Sequence, residues 1–295
     1  MTWYLEPLRT ATDSSPVRHR LELLGAALLF STGGAAIKAV TLTGWQVACA
    51  RSAVAAIVVL LFLPESRRWS WRMVPVAAAY AATLILFVLA NRLTTSANAI
   101  FLQSGAPLYL LLLGPFLLHE PVRRQDVLYM AVVACGIGVF FIGSEKGSAT
   151  APDPRLGNIL GVASGFTYAL MLAGLRWLAR GKQKNGGIPT VALGNLLACL
   201  CALPMAFPLR GATGTDVVVL LYLGAVQIGL AYLLLTNGLR YVPVIEATTL
   251  LITEPALNPV WTWLVHGERP RNWSIVGGSV ILLATLVHTW RQRRR

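Results

Sequence analysis

Residues 237–271 read NGLRYVPVIEATTLLITEPALNPVWTWLVHGERPR. From Val244 to Val265 the side chains are mostly apolar over about twenty positions, the length a helix needs to cross a bilayer. Glu254-Pro255 interrupts this run near its middle. At 1.5 Å per residue Glu254 falls about 15 Å in, roughly the mid-depth of a hydrocarbon layer about 30 Å thick. A carboxylate at that depth is costly unless it is protonated, paired or facing water, which makes it a functional candidate. Pro255 has no N–H and its ring clashes with the carbonyl one turn back. A kink with freed backbone oxygens is therefore expected beside the acid.

The same phrase occurs upstream. Residues 91–124 read NRLTTSANAIFLQSGAPLYLLLLGPFLLHEPVRR, and at a constant offset Ala99 matches Ala247, Leu102 matches Leu250 and Pro107 matches Pro255. Glu120 and Arg123 match Glu268 and Arg271 in the same register, while the openings Asn91-x-Leu and Asn237-x-Leu need a two-residue slip. Pro together with Glu-x-x-Arg in register points to two homologous halves. Pro107 and Pro255 are then matched hinge candidates, and Glu254 aligns with neutral Ala106 across the repeat. Glu120 and Glu268 each end a long apolar helix, where the dipole disfavours an acid, so both read as start signals or ion-paired corners of the next helix.

Asn-Gly-Leu, a mid-helix Glu-Pro and a closing Gly-Glu resemble the second repeat of the drug/metabolite transporter (DMT) superfamily, in its EamA family. The resemblance covers nearly all of residues 21–290, and within the family the chain is most similar to bacterial amino-acid exporters of the YddG type. It implies an all-α integral membrane protein with ten transmembrane helices in two inverted five-helix repeats. It also implies export of a small metabolite, with segments 1, 3, 4, 6, 8 and 9 around a central cavity, and it places an arginine at position 51, which favours a structural role there over a substrate-specific one.

Composition reaches the membrane independently. Hydrophobic residues make up 56% and charged residues only 13%, against about 25% charged in a usual soluble chain. Mean hydropathy is +0.63. The net charge of +13 is spread between apolar runs with no basic face interleaved with aromatics, which argues against nucleic acid as a partner. Cys49, Cys135, Cys199 and Cys201 fall inside apolar segments and suit buried side chains better than disulfides or metal ligands.

Ten apolar segments can be drawn, at 21–40, 44–63, 73–91, 96–118, 126–143, 157–175, 188–208, 216–237, 243–265 and 273–290. Residues 1–20 read as a cytoplasmic tail, 21–143 and 157–290 as the two repeats, 144–156 as their linker and 291–295 as a basic cytoplasmic tail. Arg67, Arg68 and Arg72, with the Arg-rich tails, bias the cytoplasmic side toward positive charge, so both termini are expected there. Five segments per half is an odd number, so homologous halves insert upside down relative to each other. Such a repeat places its site near the midplane. Gly157, Gly161 and Gly165 form a small-residue stripe suited to close helix packing. Trp45, Trp71, Trp261, Trp273 and Trp290 sit near segment ends, where interfacial anchoring is expected for most.

Apart from Glu22, Asp126 and Asp216 at segment starts, four charged side chains fall within segments. Lys38 lies near the outer end of the first, where its stem can snorkel. Arg51 is about 10 Å deep and, unable to shed its proton, needs acceptors. Glu246 is close to the cytoplasmic edge, and Glu254 alone is both deep and acidic. Lys38, Arg51 and Glu254 are the coupling candidates, with Glu254 able to alternate between a proton and a substrate ammonium or Arg51. Uncharged polar side chains gather in the segments that the resemblance places around the cavity. Ser31 and Thr32 are in the first, Tyr80 and Thr83 in the third, and Asn98 and Gln103 in the fourth. Ser164 and Tyr168 follow in the sixth, Gln227 and Tyr232 in the eighth and Thr249 in the ninth. These are the substrate-binding candidates, the tyrosines giving a mixed apolar and hydrogen-bonding wall suited to amino-acid side chains.

No catalytic residue, cofactor or metal site is read. There is no G-x-x-x-x-G-K-[ST] phosphate loop, and His19, His119, His266 and His288 lie in tails or near segment ends. The expected function is ATP-independent export of small metabolites, foremost amino acids, with the bilayer as surroundings and protons as a candidate co-substrate. The alternatives are export of quaternary amines or lipophilic cations, and a membrane-embedded lipid-modifying enzyme.

Overall fold

The computed structural model describes residues 16–118, 124–142, 147–180, 187–208, 211–242 and 244–293. Most of the N-terminal tail, the corner with Glu120 and Arg123, and Arg294-Arg295 lie outside these residues. The described chain is helical, with no strand among the described residues. In the first half the helices are α1 (Pro16–Ser31), α2 (Gly33–Ala39), α3 (Gly44–Phe62), α4 (Met73–Leu93), α5 (Ser96–Gln103), α6 (Ala106–Leu113) and α7 (Arg124–Val139). The second half contains α8 (Pro154–Arg180), α9 (Gly187–Ala206), α10 (Gly214–Leu221), α11 (Ala231–Tyr241), α12 (Val244–Leu251), α13 (Thr253–His266) and α14 (Asn272–Arg293). Among the described residues, 8 helical stretches are long and apolar enough to cross a membrane. Asp126–Val139 is a shorter apolar helix, and the stretch from Val244 to His266 is divided between α12 and α13.

The two matched prolines explain where the helices break. Pro107 occupies the first turn of α6 and Pro255 the first turn of α13. In a first turn the backbone N–H has no intrahelical partner, so a proline there loses nothing. Instead of kinking one continuous helix, as the sequence leads one to expect, each proline begins a new one. At the first break Gly105 N–H donates to Leu102 O at 3.2 Å and Leu108 N–H to Gly105 O at 3.0 Å, a tighter turn than the flanking helices.

The strongest helix contacts cross between the halves. α4 packs on α8 and α9, α3 on α9, α1 on α11, and α7 on α14. The Gly157, Gly161 and Gly165 stripe of α8 lies against α4 and α5. A Cβ on Gly165 would fall 2.9 Å from Leu102 O, and one on Gly161 would fall 3.2 Å from Leu102 Cβ. Neither neighbour is a flexible tip that can swing away, so the close approach of the helices depends on these glycines.

A buried ionic seam closes one end of the bundle. Gly267, at φ 64, ends α13 in the left-handed conformation and turns the chain so that Glu268 points back inward. Glu268 Oε2 meets Lys38 Nζ at 2.8 Å, and its Oε1 accepts from Ser96 N–H at 2.7 Å. Lys38 also donates to Thr94 O at 2.9 Å and Thr150 O at 2.5 Å. The side chains of Lys38 and Glu268 are only 4% and 3% exposed. Lys38 therefore does not snorkel, and Glu268 is paired to the first half rather than acting only as a corner of the next helix. Ser96 Oγ donates to Asn258 Oδ1 at 2.6 Å, Asn258 Nδ2 to Ser31 O at 3.0 Å, and Trp261 Nε1 to Ser31 Oγ at 2.8 Å. Trp261 thus belongs to the seam rather than to an interfacial belt. At the opposite end Arg20 Nε meets Glu246 Oε1 at 2.5 Å, with the two side chains 49% and 30% exposed. An exposed pair of this kind contributes about 0–1 kcal/mol.

Removing one member of a buried pair leaves the other charge unanswered, at a cost of about 3–5 kcal/mol. Lys38→Met is therefore expected to lower the melting temperature of the purified protein strongly, and adding Glu268→Gln to recover part of the loss. Arg20→Met is expected to change it little. Thermal unfolding in detergent measures all three.

Candidate functional site

The broken helices converge on a cavity of about 80 Å³ inside the bundle. α4 contributes Tyr80, Thr83, Leu84 and Phe87, spaced so that all four share one helix face. α3 contributes Arg51, Gln103 ends α5, and Tyr168 comes from the middle of α8. Between α10 and α11 the chain widens into a π-helical stretch, Tyr222–Leu230, which carries Gln227 and Ile228 to the wall. Tyr232 in α11, Phe30 in α1 and Glu254 in α13 complete the lining.

The polar lining is held from behind. Gln103 Nε2 donates to Ser164 Oγ at 2.8 Å, and Ser164 Oγ donates to Thr83 O at 3.3 Å. Thr83 Oγ1 lies 3.0 Å from Thr167 Oγ1 and 2.8 Å from Ala79 O. Asn195 Nδ2 reaches the Tyr80 hydroxyl at 3.4 Å. Tyr232 sits edge-on to both Phe30 and Tyr80, with ring centroids 5.2 and 5.8 Å apart.

The charged groups are treated differently. Glu254 occupies the first turn of α13, where the positive end of the helix dipole favours a carboxylate. Among the described residues it has no ion pair and no hydrogen bond. Arg51 is 2% exposed, and among the described residues its Nε and Nη1 have no hydrogen-bond partner. Arg51 and Glu254 share the cavity without coming within ion-pairing distance of each other. Gln227 Nε2 reaches Phe30 O at 3.5 Å, while its Oε1 is buried without a donor.

Of the residues singled out in the sequence, Arg51, Tyr80, Thr83, Gln103, Tyr168, Gln227, Tyr232 and Glu254 all line this cavity. Ser164 stands behind Gln103, while Ser31 and Lys38 belong to the seam. Thr32 Oγ1 is 2.7 Å from both the Tyr222 hydroxyl and Leu29 O. Asn98 is fully buried away from the cavity, its Nδ2 donating to Asn158 Oδ1 at 3.0 Å and Thr94 Oγ1 at 3.2 Å. Thr249 is exposed. Sequence reasoning missed the apolar wall of Phe30, Leu84, Phe87 and Ile228, and Asn195 behind Tyr80. The spacing of Leu84 and Phe87 from Tyr80 and Thr83 was the available signal.

Comparisons with known proteins bear on the whole. Residues 155–290 match the model of the EamA-like transporter family. An uncharacterized transporter of Archaeoglobus fulgidus is 26% identical over 210 residues, covering 71% of this chain and 73% of that protein. A crystal structure of another protein superposes with a TM-score of 0.63 at 18% identity, covering 95% of this chain and 99% of that one, so the two share a fold. Residues 155–290 therefore resemble a transporter family, and the apolar helices are those of a multi-pass membrane protein.

Proposed function

We propose that the protein is an ATP-independent exporter of small metabolites, foremost amino acids, of the YddG type, working by alternating access in the inner membrane. Its repeats are residues 21–143 and 157–290, joined by the linker at 144–156. In this reading α7 and the α12–α13 pair are the fifth and ninth of ten spans. Both termini are cytoplasmic, and the Lys38–Glu268 seam lies at the outer end. The inverted repeat is supported by the packing: exchanging the halves turns the α4–α8 contact into α1–α11 and returns α3–α9 and α7–α14 to themselves.

The observation that carries the transport reading is the cavity itself. Both halves supply its wall, and it lies where the helices of both halves break beside Gln103 and Glu254. Tyr80, Tyr168 and Tyr232 give it apolar faces with hydroxyl groups, which suits amino acids with apolar or aromatic side chains. The same three rings around one carboxylate favour a second reading, a quaternary amine or lipophilic cation held by cation–π attraction.

Three outcomes are expected. A reporter fused after Arg124 reads cytoplasmic and one after Arg271 reads external; both on one side would remove the inverted repeat. Ala substitutions at Tyr80, Tyr168, Gln227 and Tyr232 lower amino-acid uptake into proteoliposomes by about tenfold or more while the folded yield stays near the parent's, each having lost contacts worth about 1–2 kcal/mol. Glu254→Gln keeps shape and hydrogen bonding and abolishes either the pH dependence of transport or transport itself. Uptake identical to the parent's at every pH would make Glu254 structural.

A further inference from the structure

The cavity contains three buried or half-buried groups with unmet needs. Arg51 has donors without acceptors, Gln227 Oε1 is an acceptor without a donor, and Glu254 is a carboxylate without a cation. They do not satisfy one another: Arg51 and Glu254 make no ion pair although both line the same space. We infer that Arg51 is the receptor for a substrate carboxylate, with Glu254 and Gln227 Oε1 taking the ammonium end, so that the site is complementary to a zwitterion rather than to a lone amine.

The argument rests on what a guanidinium requires. Arginine stays charged at any ordinary pH and offers five N–H groups in a planar fork that matches a carboxylate in two parallel bonds. An arginine with buried donors and no acceptor is a standing cost, because removing a charge from water is repaid only by a well-placed opposite charge. Lys38, at the seam, meets Glu268 and two carbonyl oxygens. Around Arg51 the neighbouring polar groups include the neutral phenols of Tyr80 and Tyr232, and among the described residues no carboxylate pairs with it. Both phenols line the same cavity as Arg51, and a neutral hydroxyl does not neutralise a guanidinium. The fixed structure thus leaves the acceptor to be brought in by the ligand, and the zwitterion carries the second charge that Glu254 lacks.

This inference deepens the amino-acid reading and rests on that reading for the ammonium end only. The test is ligand-induced thermal stabilisation of the purified protein by three series of matched probes. These are the twenty amino acids, their methyl esters and decarboxylated amines, and the corresponding acids without the amino group, such as phenylpropionate beside phenylalanine. The expected result is that every compound that stabilises the parent carries a free carboxylate. Arg51→Met is then expected to lose about ten- to a hundredfold in affinity for it, the worth of charge-assisted hydrogen bonds. The unliganded melting temperature of Arg51→Met is expected to equal or exceed the parent's, since a buried charge has been removed; a purely structural arginine would give a clear fall instead. Arg51→Lys is expected to retain part of the affinity. Esters or amines binding as well as the free acids, no carboxylate binding at all, or an Arg51→Met variant with unchanged affinity would each overturn the assignment. If phenylpropionate-like acids bind through Arg51 while no amino acid does, the carboxylate receptor stands and the amino-acid reading falls.

Discussion

Charge is expensive in hydrocarbon, and the way each ionised side chain is answered organises this protein. Lys38 and Glu268 answer each other, with Ser96 N–H and two carbonyl oxygens filling the remaining valences. That satisfied cluster joins α2, the start of α5 and the end of α13, so the closed end of the bundle depends on it. Deeper in, Arg51 and Glu254 are left without such partners. A satisfied pair fixes a structure; unsatisfied groups of opposite sign in one cavity define what has to come and go.

The broken helices serve the same economy. Each break puts a polar side chain at a helix end, Gln103 at the close of α5 and Glu254 at the opening of α13. Helix ends have free backbone groups and a net partial charge, so they tolerate polar ligands at a depth where a continuous helix does not. The π-helical stretch before α11 has a comparable effect, since its wider turns re-aim Gln227 toward the cavity. Irregular backbone at such depth is stable only where it lines a cavity or is buried in protein.

Much of this was legible in the sequence. The apolar runs located the helices because a bilayer imposes a minimum length, and the Pro107 and Pro255 register marked the two places where a new helix begins. Glu254, Arg51 and the tyrosines stood out because polar groups at depth need a reason. What escaped was whatever depends on who meets whom. Lys38 looked able to snorkel because its distance to the interface is a one-dimensional quantity, whereas its partner lies on the far side of the chain. Asn98 and Thr249 have the same polarity as Gln103, but a helix face separates residues that composition cannot. The breaks were also misjudged in form: a proline inside an apolar run reads as a kink, and only the turn at Ser104-Gly105, or at Ile252, shows that a new helix starts there.

The packing pattern bears on how the chain is built. α1, α3, α4 and α7 find their main partners in the second half, so these four helices leave the ribosome before the segments they pack against. The glycine stripe of α8 and the carboxylate of Glu268 arrive only with later segments, and until then the Lys38 ammonium has no counter-charge from the second half. The contacts between the halves therefore form only once the second half is present. Neither half has its main helix partners without the other.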